Sequence, residues 1–519
     1  MAEAATATAA LDPTPSPTGN ANGTPPLSRG REAAVLAALL MGLLLGALDN
    51  FIVVTVLPQI ATSLNDVSGQ VFVVTSYLIA QTVAIPIFGK LSDRFGRRSF
   101  YLLGLTIFLV GSALSGLSQS LNELIVFRAL QGVGSGAFFT VVFSLVADLF
   151  PPAAAARLVG LLSGVFGIAI VFGPLIGSYI VDTTTWRWIF FVNLPVGFAA
   201  IALVLTSLGP LRRSASERRF DTLGAGLLAA WVGALIYALV QTSQPGGWAW
   251  TDPRTVGLLA ISAVLIPVFL WQESRADDPL VPLSYFRVRR IAASSAVNFL
   301  RGAVLTGVVT FVPILVVFGL GGSTDTSRDI LYAFMVPMIL GAAMGGQLVV
   351  RSGYRLPVAL GLLLSTVGVA LLALVPTSPP VFRFVDGSVP VGLAGALIPV
   401  GFGIGLTFAP TQLAIQYSVD AKDVGTGNSL VWFLSNLGGS IVVSVLGSYQ
   451  LAVFNHQIAA NPPMSLAAAQ LAQAQSIQAV WWALIPIAVI GIVFAVILSG
   501  RLPVTEDGTT AAPAATGVM

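Results

Sequence analysis

Three ionisable residues sit inside long apolar stretches. Asp49 interrupts "GLLLGALDNFIVVTVLP", Arg128 interrupts "LIVFRALQGVGSGA" and Arg301 interrupts "SAVNFLRGAVLTGVV". A charge at the centre of a bilayer costs at least ~2.5–3.5 kcal/mol on insertion scales, so a chain that keeps one uses it. A carboxylate can take up and release a proton, whereas a guanidinium keeps its charge. Asp49 is therefore the candidate proton carrier, and Arg128 and Arg301 are candidate fixed charges. A second cluster, "GKLSDRFGRR" from Gly89 to Arg98, gathers an acid, four bases and two glycines between two apolar runs. That mixture suits a polar hinge at helix ends, where Gly89 lets a helix approach its neighbour and Gly96 permits a tight turn. Asp93 is placed to accept hydrogen bonds from a helix N-terminus or an arginine.

The elements that position these residues are membrane helices. The 519 residues are 55% hydrophobic and only 9% charged, with mean hydropathy +0.88, far from the ~25% charged residues of soluble domains. Fourteen apolar segments lie near 33–57, 71–89, 99–117, 121–147, 157–181, 187–208, 222–242, 255–273, 291–318, 328–350, 356–376, 390–418, 427–452 and 478–499. Each is long enough to cross ~30 Å of hydrocarbon as a helix. Residues 1–32 and 501–519, rich in Ala, Thr, Pro and Gly, read as disordered tails. The acidic start and the length of the first apolar run do not read as a secretory leader.

Orientation follows from the bases. With the N-terminus inside, 19 of the 25 Lys and Arg fall on inner connections, Arg187, Arg254, Arg328 and Arg383 fall outside, and Arg128 and Arg301 lie within the membrane. This bias places both termini in the cytoplasm. It also matches two depths. Asp49 stands nine residues before Pro58, and Arg128 seven residues after Leu121. Both are then ~10–14 Å below the outer helix ends at ~1.5 Å per residue, so Arg128 is the expected partner of Asp49. Arg301, about ten residues into its segment, is too deep to snorkel with comfort. It is left to face a central cavity, to bind a carboxylate or to meet an anionic group of a substrate.

An internal repeat organises the chain. "GKLSDRFGRR" follows the second segment and "GQLVVRSGYR", Gly346 to Arg355, follows the tenth, sharing Gly-x-Leu-x-x-Arg-x-Gly-x-Arg on the same side. A same-sense repeat implies two six-helix bundles related about the membrane normal. Residues 33–208 form one and 291–500 the other, with 209–290 an inserted helix pair. The expected fold is all-α and polytopic.

These motifs resemble the major facilitator superfamily, in particular its fourteen-helix drug:proton antiporter branch, over nearly all of residues 33–500. "LDNFIVVTVLP" (48–58) is similar to that branch's first-helix signature, with Asn50 and Thr55 where other polar residues are usual. "GKLSDRFGRR" matches the superfamily's loop motif fully. "LIVFRALQGVGSGA" matches the fourth-helix motif, and "AIVFGPLIGS" resembles the fifth-helix antiporter motif around Gly173, Pro174 and Gly177, with Ala169 and Ser178 replacing glycines. "WRWIFFVNLPVG" (186–197) is a further signature of the branch.

The resemblance implies a proton-coupled exporter of amphipathic small molecules or drugs. The alternatives are a dedicated exporter of one lipid or secondary metabolite and, further off, a receptor. It implies that the loop motif, with Gly89, Asp93, Arg94, Gly96 and Arg97, latches the bundles on the cytoplasmic side, and that Asp148 partners Arg94 or Arg97. The loop pairs are expected to be exposed and to add little stability. Candidate substrate contacts are the polar and aromatic residues within apolar helices: Asn50, Tyr77, Gln81, Gln131, Asn298, Arg301, Gln412, Gln416, Trp432 and Asn436. Aromatic and amide walls suit a bulky amphipathic ligand, although such residues also bridge helices.

Other chemistry finds little purchase in the sequence. Cysteine is absent and His456 is the single histidine, so neither a thiolate nor a histidine-cluster metal site is expected, nor any cofactor. No Gly-x-x-x-x-Gly-Lys-Ser/Thr loop supports an ATP-driven pump, and no nucleophile-elbow pattern supports an enzyme. The expected partners are a small organic substrate, protons and the lipid bilayer, not nucleic acid. The expected setting is a monomer in a bacterial plasma membrane.

Overall fold

Among the described residues, fourteen helices are long and apolar enough to cross a membrane. The computed structural model describes residues 28–64, 70–209, 220–244, 246–375, 384–385, 389–460 and 465–500. The helices are α1 (Arg29–Ser63), α2 (Gln70–Phe95), α3 (Arg97–Leu117), α4 (Leu121–Leu149) and α5 (Pro152–Thr183), then α6 (Trp188–Ser207), α7 (Thr222–Thr242) and α8 (Pro253–Arg275). They continue as α9 (Arg289–Gly319), α10 (Thr324–Ser352), α11 (Arg355–Leu374), α12 (Val391–Gln416), α13 (Val424–Ala460) and α14 (Leu466–Ile497). Among the described residues the remaining regular structure is one antiparallel pairing of Phe384–Val385 with Val389–Pro390 and short 3-10 turns. The expected tail at 501–519 and residues 1–27 of the expected N-terminal tail lie outside the described residues, as does Arg383. Residues 29–32 of that tail belong to α1.

The first six helices pack around α4, which meets α2 and α3, while α1 packs on α5 and α6. The last six repeat the plan: α12 meets α10 and α11, and α9 packs on α13. The two bundles meet where α5 lies on α10 and α2 lies on α13. In repeat order these two contacts are equivalent, and the repeated loop motif explains them. Its first glycine faces the opposite bundle each time: a Cβ at Gly89 would stand 2.6 Å from the Ser429 Cβ, and one at Gly346 would run into the Ala156 carbonyl. Its second glycine takes positive φ each time, 102° at Gly96 and 77° at Gly353, a backbone region that other residues adopt at a cost.

Between the bundles, α7 and α8 pack on each other, and α7 also touches α2 and α13. Only 17% of the most apolar window of α8 is buried, against 83% for α4. The helix carries an exposed apolar surface fit for lipid.

Two helices depart from their expected lengths. α14 begins at Leu466 rather than near 478, and α13 runs on to Ala460. The "LAAAQLAQAQ" stretch is too polar to read as membrane-embedded, but Ala, Leu and Gln are strong helix formers. Ser465 caps it by accepting the Ala468 N–H at 3.2 Å. α6 is broken at Val192 into Trp188–Phe191 and Asn193–Ser207. Pro195, near the start of the second piece, has no N–H to continue the ladder.

Candidate functional site

The depth argument brings Asp49 and Arg128 together. Arg128 Nη1 lies 2.5 Å from Asp49 Oδ2, and neither side chain is exposed. Gln131, one turn along α4, donates to Asp49 Oδ1 at 2.8 Å and accepts from Arg128 Nη1 at 2.7 Å. The break in α6 aims Asn193 at the same carboxylate, 3.0 Å from Oδ1. The Arg128 guanidinium lies 4.2 Å over the Tyr77 ring. Tyr77 Oη donates to Ser135 Oγ at 2.8 Å, and Gln81 Nε2 donates to the same hydroxyl at 2.9 Å. Asp49 thus receives three donors in a buried site.

Gln131 and Tyr77, expected to touch substrate, are fully buried and lie against the ion pair. Gln81 joins them through Ser135. The spacing of Arg128 and Gln131 on one helix face already hinted at the first of these contacts.

The loop motif forms a second site at the ends of α2 and α3. Asp93 accepts the backbone N–H groups of Gly425 and Thr426 at 2.8 and 2.7 Å, and the Thr426 hydroxyl at 3.1 Å. It therefore caps α13 of the other bundle, where the helix dipole favours a carboxylate. Arg97 holds Asp93 at 3.1 Å and Asp148 at 2.5 Å. The choice left open between Arg94 and Arg97 falls to Arg97, while Arg94 lies against the Phe95 ring. The expectation of exposed loop pairs is also corrected: Asp93 and Arg97 are 8% and 1% exposed, because α13 covers them.

Lys90 extends the latch to Asp278 at 2.6 Å and Asp423 at 3.7 Å. Burial pushes the Asp423 carboxyl up from its ordinary range, and Lys90 pulls it down. Deeper along the same interface, Asn428 of α13 donates to Ser144 of α4 at 2.9 Å and accepts from Gln412 at 2.5 Å. Trp432 packs on Phe143 and Phe139 with ring centroids 5.2 and 5.9 Å away.

The helix-5 motif lies where α5 meets α1. A Cβ at Gly173 would stand 2.7 Å from the Phe51 Cβ, and one at Gly177 3.3 Å from Ile52 Cγ2, so this end of the helix is fitted to α1. Pro174 stands between these two glycines. Nearer the other end, before the motif, Gly164 and Gly167 meet Ile339 of α10.

A family model described as Major Facilitator Superfamily matches residues 39–443. The chain belongs to this superfamily. Two relatives carry resistance in their names, and one of them export. "Multidrug resistance protein 3" of Bacillus subtilis (strain 168) is 32% identical over 82% of this chain and 80% of its own length. The "Tetracenomycin C resistance and export protein" of Streptomyces glaucescens is 31% identical over 81% of this chain and 76% of its own. Among solved structures, the human organic anion transporter MFSD10 (TETRAN) matches with a TM-score of 0.59 at 17% identity, covering 90% of this chain and all of that one. That likeness concerns the fold alone.

Within that superfamily fold the remaining expected residues separate. Asn298, Arg301, Gln412, Gln416 and Trp432 are buried on α9, α12 and α13, whereas Asn50 and Asn436 are half-buried. A cavity of about 840 Å³ opens at the ends of α7, α9, α13 and α14 away from the latch, lined in part by Gln244, Phe311, Gln450, Phe454 and Gln470. None of the expected substrate residues lines it. Sequence reasoning passed over Asn193, Lys90, Ser135 and Asn428. Asn193 lies in a quoted motif and Lys90 is one of only two lysines, so both left a signal. Ser135 lies in the quoted fourth-helix motif as well, and only Asn428 left none.

Proposed function

We propose that this protein is a proton-coupled antiporter that exports amphipathic small molecules by alternating access, with both termini in the cytoplasm. The observation that carries the reading is the Asp49–Arg128 pair, sealed in an apolar bundle and held by two further amides. Asp49 loads a proton from outside, and the neutral acid loosens its hold on Arg128. The bundles, 33–208 and 291–500, then rock about α5 and α2. The proton leaves on the cytoplasmic side as the ion pair reforms. The latch at Asp93 keeps the cytoplasmic face closed in the conformation seen here. Each charge moving down ~100 mV releases ~2.3 kcal/mol, enough for about 50-fold accumulation of a neutral substrate.

The substrate reading draws on the names of the relatives, one a multidrug resistance protein and one an exporter of tetracenomycin C. The Streptomyces relative also favours a second reading, a dedicated exporter of one secondary metabolite. Resistance of an export-deficient host separates the two, broad protection supporting the first and protection against one compound the second. The mechanism is tested in proteoliposomes under an imposed proton gradient. The parent accumulates substrate, and Asp49→Asn binds it but does not accumulate it. An Asn variant that builds as steep a gradient as the parent overturns the proposal.

A further inference from the structure

We propose that Arg301 is the anion-binding group of the substrate site and receives a carboxylate, sulfonate or phenolate carried on an aromatic ligand. The inference rests on the reading of the protein as an exporter and names the class of its cargo. Arg301 is 1% exposed. Its Nε, Nη1 and Nη2 have no hydrogen-bond partner, and its guanidinium lies 4.0 Å over the Phe408 ring. An unpaired charge in such a place costs several kcal/mol, and an anion offsets that cost.

Among the described residues no carboxylate pairs with it. Asp49 is committed to Arg128, while Asp93 and Asp148 are committed to Arg97. Around Arg301 the chain offers donors instead. One turn earlier on α9, Asn298 accepts from Thr411 Oγ1 at 3.0 Å, which leaves its buried Nδ2 without a partner. A guanidinium fork beside an amide N–H suits a planar oxyanion.

The place suits a cargo that bridges the bundles. Arg301 lies twelve residues past the start of α9, about 18 Å from its latch-side end. Phe408 and Trp432 each lie eight residues, about 12 Å, from the same face. From Arg301 the rings continue through Phe408 to Trp432 at 6.3 Å and on to Phe143 and Phe139 of α4. A flat ligand entering as the bundles part would meet rings along its length and the guanidinium at its end.

The test is equilibrium binding to the purified full chain in nanodiscs, with no gradient imposed. The probes are fluorescein, anionic, and rhodamine 123, cationic, which share a xanthene frame. The parent is expected to bind fluorescein more tightly. Arg301→Gln should weaken fluorescein about 10- to 100-fold and leave rhodamine 123 unchanged or tighter. Arg301→Lys, which keeps the charge, should stay within about tenfold of the parent. A parent that binds neither dye or prefers rhodamine 123 overturns the proposal. So does a Gln variant that loses both dyes equally, or a Lys variant no better than Gln. Should Arg301→Gln not fold, the parent's preference and the Lys variant decide. Asp49→Asn serves as the separating control: an unchanged fluorescein preference there shows that the anion site stands whether or not Asp49 carries the proton.

Discussion

Arg128 and Arg301 are the same residue in nearly the same physical setting, and the chain treats them differently. Each is buried, each lies on a transmembrane helix, and each guanidinium sits about one van der Waals layer over an aromatic ring, 4.2 Å for Tyr77 and 4.0 Å for Phe408. Arg128 has a carboxylate and a glutamine in hydrogen-bond range, whereas Arg301 has no hydrogen-bond partner. Ring stacking offsets only ~2 kcal/mol of a desolvated cation's cost. The first bundle therefore contains a closed charge balance, and the second contains an open one. In the mechanism proposed above, a proton alters the closed balance from within and a ligand completes the open one.

The largest expected contrast is in stability. Arg128→Met strands Asp49 in a buried site and should cost about 3–5 kcal/mol, read as a steep fall in the melting midpoint of purified protein. Arg301→Met removes an unpaired charge and should hold or raise that midpoint. Equal losses in the two variants would break the comparison.

The double variant Asp49→Leu with Arg128→Met sharpens it. Replacing a whole buried pair by apolar residues is often neutral or stabilising, so most of the lost midpoint should return while gradient-driven transport stays absent. A double variant as unstable as Arg128→Met alone would mean that the pair is needed for folding itself.

A smaller effect is expected at the latch. Asp93→Asn weakens charge-assisted bonds to α13 worth ~1.5–3 kcal/mol each. Transport should drop about tenfold or more, and spin-label distances between the α2–α3 and α10–α11 connections should gain a longer population. Unchanged distances together with unchanged transport would remove the gate. The smallest effect belongs to Asn193→Ala, which deletes one of the three donors to Asp49. Transport should slow several-fold, consistent with ~1 kcal/mol. A parent-like rate would confine the charge balance to α1 and α4.

Much of the fold was legible because membrane helices announce themselves in one dimension. Hydrocarbon thickness sets segment length, and the repeated Gly-x-Leu-x-x-Arg-x-Gly-x-Arg set the bundle symmetry. The pairing of Asp49 with Arg128 was legible for the same reason, since depth in a membrane is counted along each helix. What depth cannot supply is direction around the helix axis. Tyr77, Gln131 and Trp432 all read as polar or aromatic residues at plausible depth. Only packing turned the first two toward the ion pair and the third toward Phe143 of the opposite bundle. The burial of Asp93 and Arg97 escaped notice because the helix that covers them, α13, begins more than 300 residues later.

The sequence by itself determined that this protein is a fourteen-helix, twofold-repeated membrane transporter of the major facilitator kind, with a carboxylate and two guanidiniums inside the bilayer. Composition, periodicity and the cost of burying charge are local properties, and a chain displays them whatever it packs against. The tertiary structure alone decided what surrounds those charges and the loop motif. Asn193 reaches Asp49 through a break in α6, Arg97 rather than Arg94 takes Asp148, and Arg301 is left facing a ring with no acid. Each outcome depends on which helix faces are brought together, and those contacts join residues far apart in the chain.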